Sequence, residues 1–302
     1  MSETDVLERI RDLKKRKKAV ILAHNYQVPE VQDAADFTGD SLELSRKAAA
    51  LEAEVIVFCG VHFMAETAAV LAPGKKVLLP DPAAGCPMAD MITARDLRLW
   101  KERYPGRKVV CYVNTSAEVK AESDICCTSS NAVSVVESLG VEEMLFVPDK
   151  NLAAYVARET GKRLIAWDGY CYVHHKFNPE DVRSARALHP GAEVWVHPEC
   201  PLEVIDLADK VLSTGKMVRE AGTTGHREVI VGTETGILHR LRKENPSVAF
   251  FALRESALCV HMKMTTLDKV LQALETDRHA VEVAPDVAER ARNAIRRMIE
   301  IG

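Results

Sequence analysis

Short, unbroken apolar runs alternate along the chain with segments whose apolar residues recur every three or four positions. Residues 19–23 (AVILA) form an apolar run of strand length, and residues 41–53 have helical spacing. Residues 54–59 (EVIVFC) return to a strand, 63–71 to a helix, and 76–79 (KVLL) to a third strand that stops at Pro80-Asp81-Pro82. A strand without polar alternation is buried on both faces, so this pattern predicts parallel sheets covered by helices.

The same order of elements recurs twice. A strand at 108–112 (KVVCY), a helix from Ser130, a strand at 143–147 (EMLFV), a further helix and a strand at 163–167 (RLIAW) make the second copy. The third has strands at 193–196 (EVWV), 228–231 and 248–253, with a helix near Lys216 and another before the last strand. Each copy opens with a strand that ends in a polar residue, His24, Asn114 or His197. Each closes with a cysteine just past its last strand, Cys86, Cys171 or Cys259. A period of nearly ninety residues is too long for a solenoid and suits a small domain repeated three times. The expected architecture is therefore α/β: three similar α/β modules with parallel sheets, arranged about a pseudo-threefold axis. The modules are residues 1–85, 86–170 and 171–259. Residues 260–302 are expected to add two helices and a strand at 280–283, and to pack back on the first module with the N-terminal helix.

Composition narrows the class of function. Lys plus Arg is 40 and Asp plus Glu is 44, a net charge of −4, which argues against nucleic acid or an anionic membrane as the main partner. The one basic run, residues 11–18 (RDLKKRKK), reads as the solvated face of the first helix. The start, MSETDVLERI, carries no apolar signal core, so a cytoplasmic location is expected. Eight cysteines in that reducing compartment are core thiols, nucleophiles or metal ligands, not structural disulfides.

The repeat sorts them. Cys59, Cys111, Cys126 and Cys127 sit within or beside apolar runs and read as small core residues. Cys200, on the loop His197-Pro198-Glu199-Cys200, is a reserve ligand. Cys86, Cys171 and Cys259 occupy equivalent positions in loops rich in glycine and proline. Ligands of open parallel sheets collect at the carboxyl ends of strands, where three modules about one axis would bring these cysteines together. Zinc sites usually show close Cys or His pairs, and no CxxC or HxxxH is present. One four-iron four-sulfur cluster on three thiolates is the expected cofactor, with one iron left open as a Lewis acid.

The rest of the expected cavity is polar. Each module carries a hydroxyl turn: Thr38-Gly39-Asp40-Ser41, Thr128-Ser129-Ser130-Asn131 and Ser213-Thr214-Gly215-Lys216. These read as helix N-caps that also suit an anion, since helix N-termini carry free N–H groups. His24, Tyr26, Tyr112, His174, His197 and Glu199 are the acid–base candidates.

With these residues in view, the chain resembles the quinolinate synthase family, iron–sulfur enzymes of de novo NAD biosynthesis. The resemblance rests on His24-Asn25-Tyr26-Gln27, the first hydroxyl turn, residues 60–68 (GVHFMAETA), 85–89 (GCPMA), 112–117 (YVNTSA), 128–132 (TSSNA), 167–174 (WDGYCYVH), 197–200 (HPEC) and 262–267 (MKMTTL), all in order. It departs at Val260 and His261, where the family commonly has proline and a polar residue. The resemblance implies three α/β domains about a pseudo-threefold axis, with Cys86, Cys171 and Cys259 holding the cluster. It implies condensation of iminoaspartate with dihydroxyacetone phosphate, with loss of phosphate and two waters. Tyr26 and Glu199 match acid–base residues; His24, Ser41, Tyr112, Asn114, Ser129, His197 and Thr214 match residues that hold phosphate or carboxylates. His174 is a secondary candidate, and an aspartate oxidase or dehydrogenase is the implied supplier of iminoaspartate. The alternatives are another iron–sulfur hydro-lyase acting on a dicarboxylate, a non-catalytic cluster sensor, and a cluster-free ligand-binding protein.

Overall fold

The computed structural model describes residues 2–301 and contains three four-stranded sheets, all parallel. The first holds β1 (Ala19–His24), β2 (Phe37–Gly39), β3 (Val55–Cys59) and β4 (Lys76–Leu78). The second holds β5 (Lys108–Tyr112), β6 (Ile125–Cys127), β7 (Glu143–Val147) and β8 (Arg163–Ala166). The third holds β9 (Glu193–Val196), β10 (Lys210–Val211), β11 (Glu228–Gly232) and β12 (Ala249–Ala252). Their spatial orders match: β2-β1-β3-β4, β6-β5-β7-β8 and β10-β9-β11-β12. In each sheet the first and third strands lie at the centre, so their carboxyl ends open over the middle of the sheet.

The central strands are the apolar runs of the sequence. All of β3 is buried, and its register runs from Ala19 opposite Val55 to Ala23 opposite Cys59. The edge strands β2, β6 and β10 span only two or three residues, too few for a periodic signal, and the sequence reading named none of them.

Helix starts follow side-chain caps. Asp40 opens the helix Ser41–Ala50, accepting from the amides of Leu42 and Glu43, and Glu43 bonds back to the amide of Asp40. That helix stops at Ala50, short of the expected residue 53, because Leu51 turns to extended backbone. The helix expected from Ser130 begins at Ala132, since Thr128, Ser130 and Asn131 bond to one another across the turn.

The tail divides. The helix Leu267–Thr276 packs with the N-terminal helix Glu3–Lys17, placing Val270, Leu271 and Leu274 in one core with Val6, Ile10 and Leu13. Burying each such aliphatic side chain contributes about 1.5–3 kcal/mol. The last helix, Pro285–Glu300, lies chiefly against the helix Ala117–Ala121 and β6, and touches the helix His62–Leu71. Asn131 closes its end by donating to the carbonyls of Met298 and Ile301. The strand expected at 280–283 does not form. A single antiparallel bridge joins Ala280 to Leu78 at the edge of β4, after Asp277 and His279 have turned through positive φ.

Three of the six basic residues in the run 11–18 are paired, Lys14 on Asp36 (2.6 Å), Lys17 on Asp277 (2.7 Å) and Lys18 on Glu54. Among the described residues, no helix is long and apolar enough to cross a membrane.

Candidate active site

His24 ends β1, Tyr112 ends β5 and His197 follows β9, the equivalent strand of each sheet. Two of these turns are built alike. The amide of Tyr26 donates to Nδ1 of His24 (3.2 Å), and the amide of Glu199 donates to Nδ1 of His197 (3.3 Å). An imidazole that accepts at Nδ1 carries its proton at Nε2; that nitrogen of His197 reaches Ser129 Oγ at 3.1 Å. Burial pushes the His24 imidazole down to about 4, so it is neutral at pH 7.

The three cysteine loops share a second construction. Each cysteine stands three residues before a short 3-10 turn, at Ala89–Met91, His174–Lys176 or Met262–Met264. The amides two and three residues after each cysteine approach its sulfur and favour the thiolate. The fourth amide donates to the carbonyl of the cysteine itself, at 3.3, 2.9 and 3.3 Å. Opposing those amides, burial pushes the Cys86 thiol up to about 12, the Cys171 thiol well above its ordinary value, and Cys259 upward. No lysine or arginine lines the cavity among the described residues, so a bound metal centre is the group that would hold all three as thiolates.

The three cluster cysteines and all the acid–base and substrate-binding candidates line one cavity, with about 750 Å³ of space free of protein atoms including its mouth. His24, Tyr26, Ser41 and Cys86 end or follow strands of the first sheet; Tyr112, Asn114, Ser129, Cys171 and His174 those of the second; and His197, Glu199, Thr214 and Cys259 those of the third. Cys200 is absent from the lining; its thiol is buried and faces the carbonyl of Gly232 at 3.7 Å, which removes it as a reserve ligand. Cys59, Cys111, Cys126 and Cys127 are fully buried in β3, β5 and β6, and all eight cysteines are free.

Glu199 sits at the centre of the charge. Its Oε2 is 2.7 Å from Nδ1 of His174 and 3.3 Å from Nδ1 of His197, whereas Oε1 is buried without a partner. Burial alone would raise this carboxyl, but other groups, His174 first among them, more than offset it and hold it well below the ordinary range. Nδ1 of His174 also lies 3.1 Å from Cys171 Sγ, so Cys171, His174 and Glu199 present three donor atoms within 4.8 Å of one another. Tyr26 and Tyr112 are pushed well up, first by burial and then by Glu199, and stay protonated.

Two connections have no signature in sequence. Tyr26 Oη meets Thr233 Oγ1 at 2.5 Å, and Thr233 Oγ1 meets Nε2 of His174 at 2.8 Å. One assignment satisfies every donor: Tyr26 donates to Thr233, Thr233 to His174 Nε2, and His174 Nδ1–H to Glu199. At the axis, Ser130 Oγ donates to Asp40 Oδ2 (2.6 Å) and lies 2.7 Å from Ser213 Oγ, so one residue of each hydroxyl turn meets there. A Cβ at Gly215 would fall 2.5 Å from Asp40 Oδ2. Side chains already cap several helix-terminal amides; what the turns offer the cavity is Asp40 and the hydroxyl residues Ser41, Thr128, Ser129 and Thr214. Asn114 Oδ1 is buried there without a partner.

Comparison with known proteins gives one family over nearly the whole chain. The family model described as NadA, quinolinate synthetase A protein, matches residues 8–300. A quinolinate synthase of Dehalococcoides mccartyi (strain ATCC BAA-2266 / KCTC 15142 / 195) is 58% identical over 296 residues, 98% of each chain. One of Methanoregula boonei is 57% identical over 302 residues and one of Alkaliphilus metalliredigens 49% over 302, each covering 100% of both chains. The match therefore takes in all three sheets and every cavity-lining residue, and the chain belongs to the quinolinate synthetase A family.

Proposed function

We propose that the protein is a quinolinate synthase that condenses iminoaspartate with dihydroxyacetone phosphate, releasing phosphate and two waters. The observation that carries this is the delivery of three cysteines, on three identically built turns, to the cavity where Glu199 keeps one oxygen unpartnered. The donor set fits one four-iron four-sulfur cluster on Cys86, Cys171 and Cys259, each presenting a buried thiol with two amides aimed at it. When bound, that group supplies a Lewis acid for substrate oxygen and nitrogen atoms.

The remaining chemistry falls to side chains. Hydroxyls of Ser41, Ser129 and Thr214 and the Nε2–H groups of His24 and His197 suit phosphate and carboxylate oxygens, and Asn114 Oδ1 suits a donor such as an imine N–H. Glu199, ionised with a free oxygen, is the base for a carbon acid beside an imine or ketone. Tyr26 and Tyr112, held neutral, are O–H donors toward departing oxygens, and Tyr26 lies on the hydrogen-bond chain through Thr233 and His174. We place the enzyme in the cytoplasm, supplied by an aspartate oxidase or dehydrogenase, and divide the chain at residues 85, 170 and 259.

The test is an anaerobic visible spectrum with iron and sulfide analysis, followed by a quinolinate assay with enzymatically generated iminoaspartate. About four irons and four sulfides per chain with quinolinate formed is the expected result. A colourless protein that takes up no iron on reconstitution sinks the proposal. A cluster with turnover of another dicarboxylate selects the hydro-lyase reading, and a cluster with no turnover selects the sensor.

A further inference from the structure

Asp149 and Glu234 are fully buried carboxylates at equivalent points, two residues past the end of the third strand of their sheets, β7 and β11. Each divides its two oxygens in the same way. Asp149 Oδ2 accepts the amide of Cys171 at 3.1 Å, and Oδ1 accepts the amide of Leu152 at 2.7 Å. Glu234 Oε1 accepts the amide of Cys259 at 3.1 Å, and Oε2 accepts the amide of Gly236 at 2.7 Å. One oxygen closes the loop that the acid stands on; the other reaches across to the cysteine loop that follows the last strand of the same sheet. The first module has no acid there. Its loop after β3 is tied to the Cys86 loop by backbone alone, His62 N–H to Ala84 C=O at 2.8 Å.

We infer that Asp149 and Glu234 are positioning residues that fix the backbone of Cys171 and Cys259 so that their thiols meet the shared metal centre. A buried carboxylate is costly unless its lone pairs are used, and here both oxygens of each accept backbone amides. Glu234 also binds Lys263 at 2.9 Å, and Lys263 Nζ donates to the carbonyl of Tyr26. The brace on Cys259 therefore also anchors the strand-end turn that carries Tyr26. The space is filled: a Cβ at Gly236 would sit 2.5 Å from Lys263 Nζ and 2.8 Å from both Glu234 Oε2 and the Tyr26 carbonyl.

The inference rests on the cluster reading, and one experiment separates the two. Reconstituted full-length protein is exposed anaerobically to a ferrous-iron chelator, and iron release is timed for wild type and for D149A, D149N, E234A, E234Q and E234D, with melting temperatures measured in parallel. Removing an outer hydrogen-bond partner of a metal ligand weakens metal binding about tenfold to a hundredfold. D149A and E234A should release iron faster by that factor, while D149N and E234Q, which keep one acceptor oxygen but turn an NH2 toward the other backbone donor, should fall between them and wild type. E234D keeps the charge and both acceptors but shortens the reach, so it should release iron faster than wild type; this comparison decides if the alanine variants do not fold. Alanine variants that melt with wild type and release iron at its rate overturn the inference, as does E234D matching wild type. A wild type that takes up no iron instead brings down the cluster reading, and the inference with it.

Discussion

The hydroxyls of Tyr26 and Thr233 lie 2.5 Å apart although 207 residues separate them in the chain. Tyr26 follows the first strand of the first sheet, and Thr233 follows the third strand of the third sheet. Their bond joins the two modules at the cavity wall. It also extends, through His174 Nε2 at 2.8 Å from Thr233, to the carboxylate of Glu199.

If that chain holds the Tyr26 proton in place, T233V should lower kcat with little change in iron content. Loss of a positioned proton donor costs up to about 10²–10⁴-fold, so a partial loss, near the lower end, is expected. T233S should restore most of it. A valine variant with wild-type kcat would show that the chain carries no proton in turnover.

Glu199 is buried between two imidazoles and keeps one oxygen free. E199Q preserves the shape and removes the base, so the cluster should be retained while turnover falls by about two to four orders of magnitude. Steady-state kinetics indistinguishable from wild type would take Glu199 out of the mechanism.

The three cavity cysteines and the five others should separate cleanly. C86A, C171A and C259A should each lose the cluster absorbance and all activity. C126A and C200A should keep both, since Cys126 is buried in β6 and Cys200 faces the Gly232 carbonyl. A full cluster in C259A would identify a different third ligand.

Glu122 caps the helix Ala117–Ala121 and accepts from Arg290 of the last helix (3.1 Å) and from Arg98 (3.0 Å). Burial by itself would raise its carboxyl, but Arg290 and Arg98 more than offset that and hold it below its ordinary value. A lowered folded pKa gives stability that is fully present above the unfolded pKa and is lost as pH falls through the folded one. E122Q should therefore cost about 1 kcal/mol at pH 7. The gap to wild type should begin to narrow as pH falls below the unfolded value of about 4.3 and close as pH passes the folded one. Denaturant midpoints that coincide at pH 7, or differ equally at pH 7 and pH 3.5, would contradict the assignment.

Much of this was legible in the chain. The central strands could be read because a strand buried on both faces leaves an unbroken apolar run, as in β3, whose five residues are all buried. The cysteines could be sorted because a threefold repeat puts equivalent residues at equivalent strand ends. The edge strands were not legible: two or three residues have no period. Nor was the tail at 280–283, where an apparent strand yields one bridge beside two left-handed residues.

By itself, then, the sequence determined the order of the central strands, the repeat and the cysteine, acid–base and hydroxyl candidates that line the cavity, because local periodicity and equivalent spacing are properties of one dimension. Only the tertiary structure decided which of those residues touch. The Tyr26–Thr233–His174–Glu199 chain, the meeting of Asp40, Ser130 and Ser213, and the bonds from the Cys171 and Cys259 amides to Asp149 and Glu234 all join atoms distant along the chain. A hydrogen bond depends on positions within tenths of an ångström, and those are set by how three sheets pack about an axis.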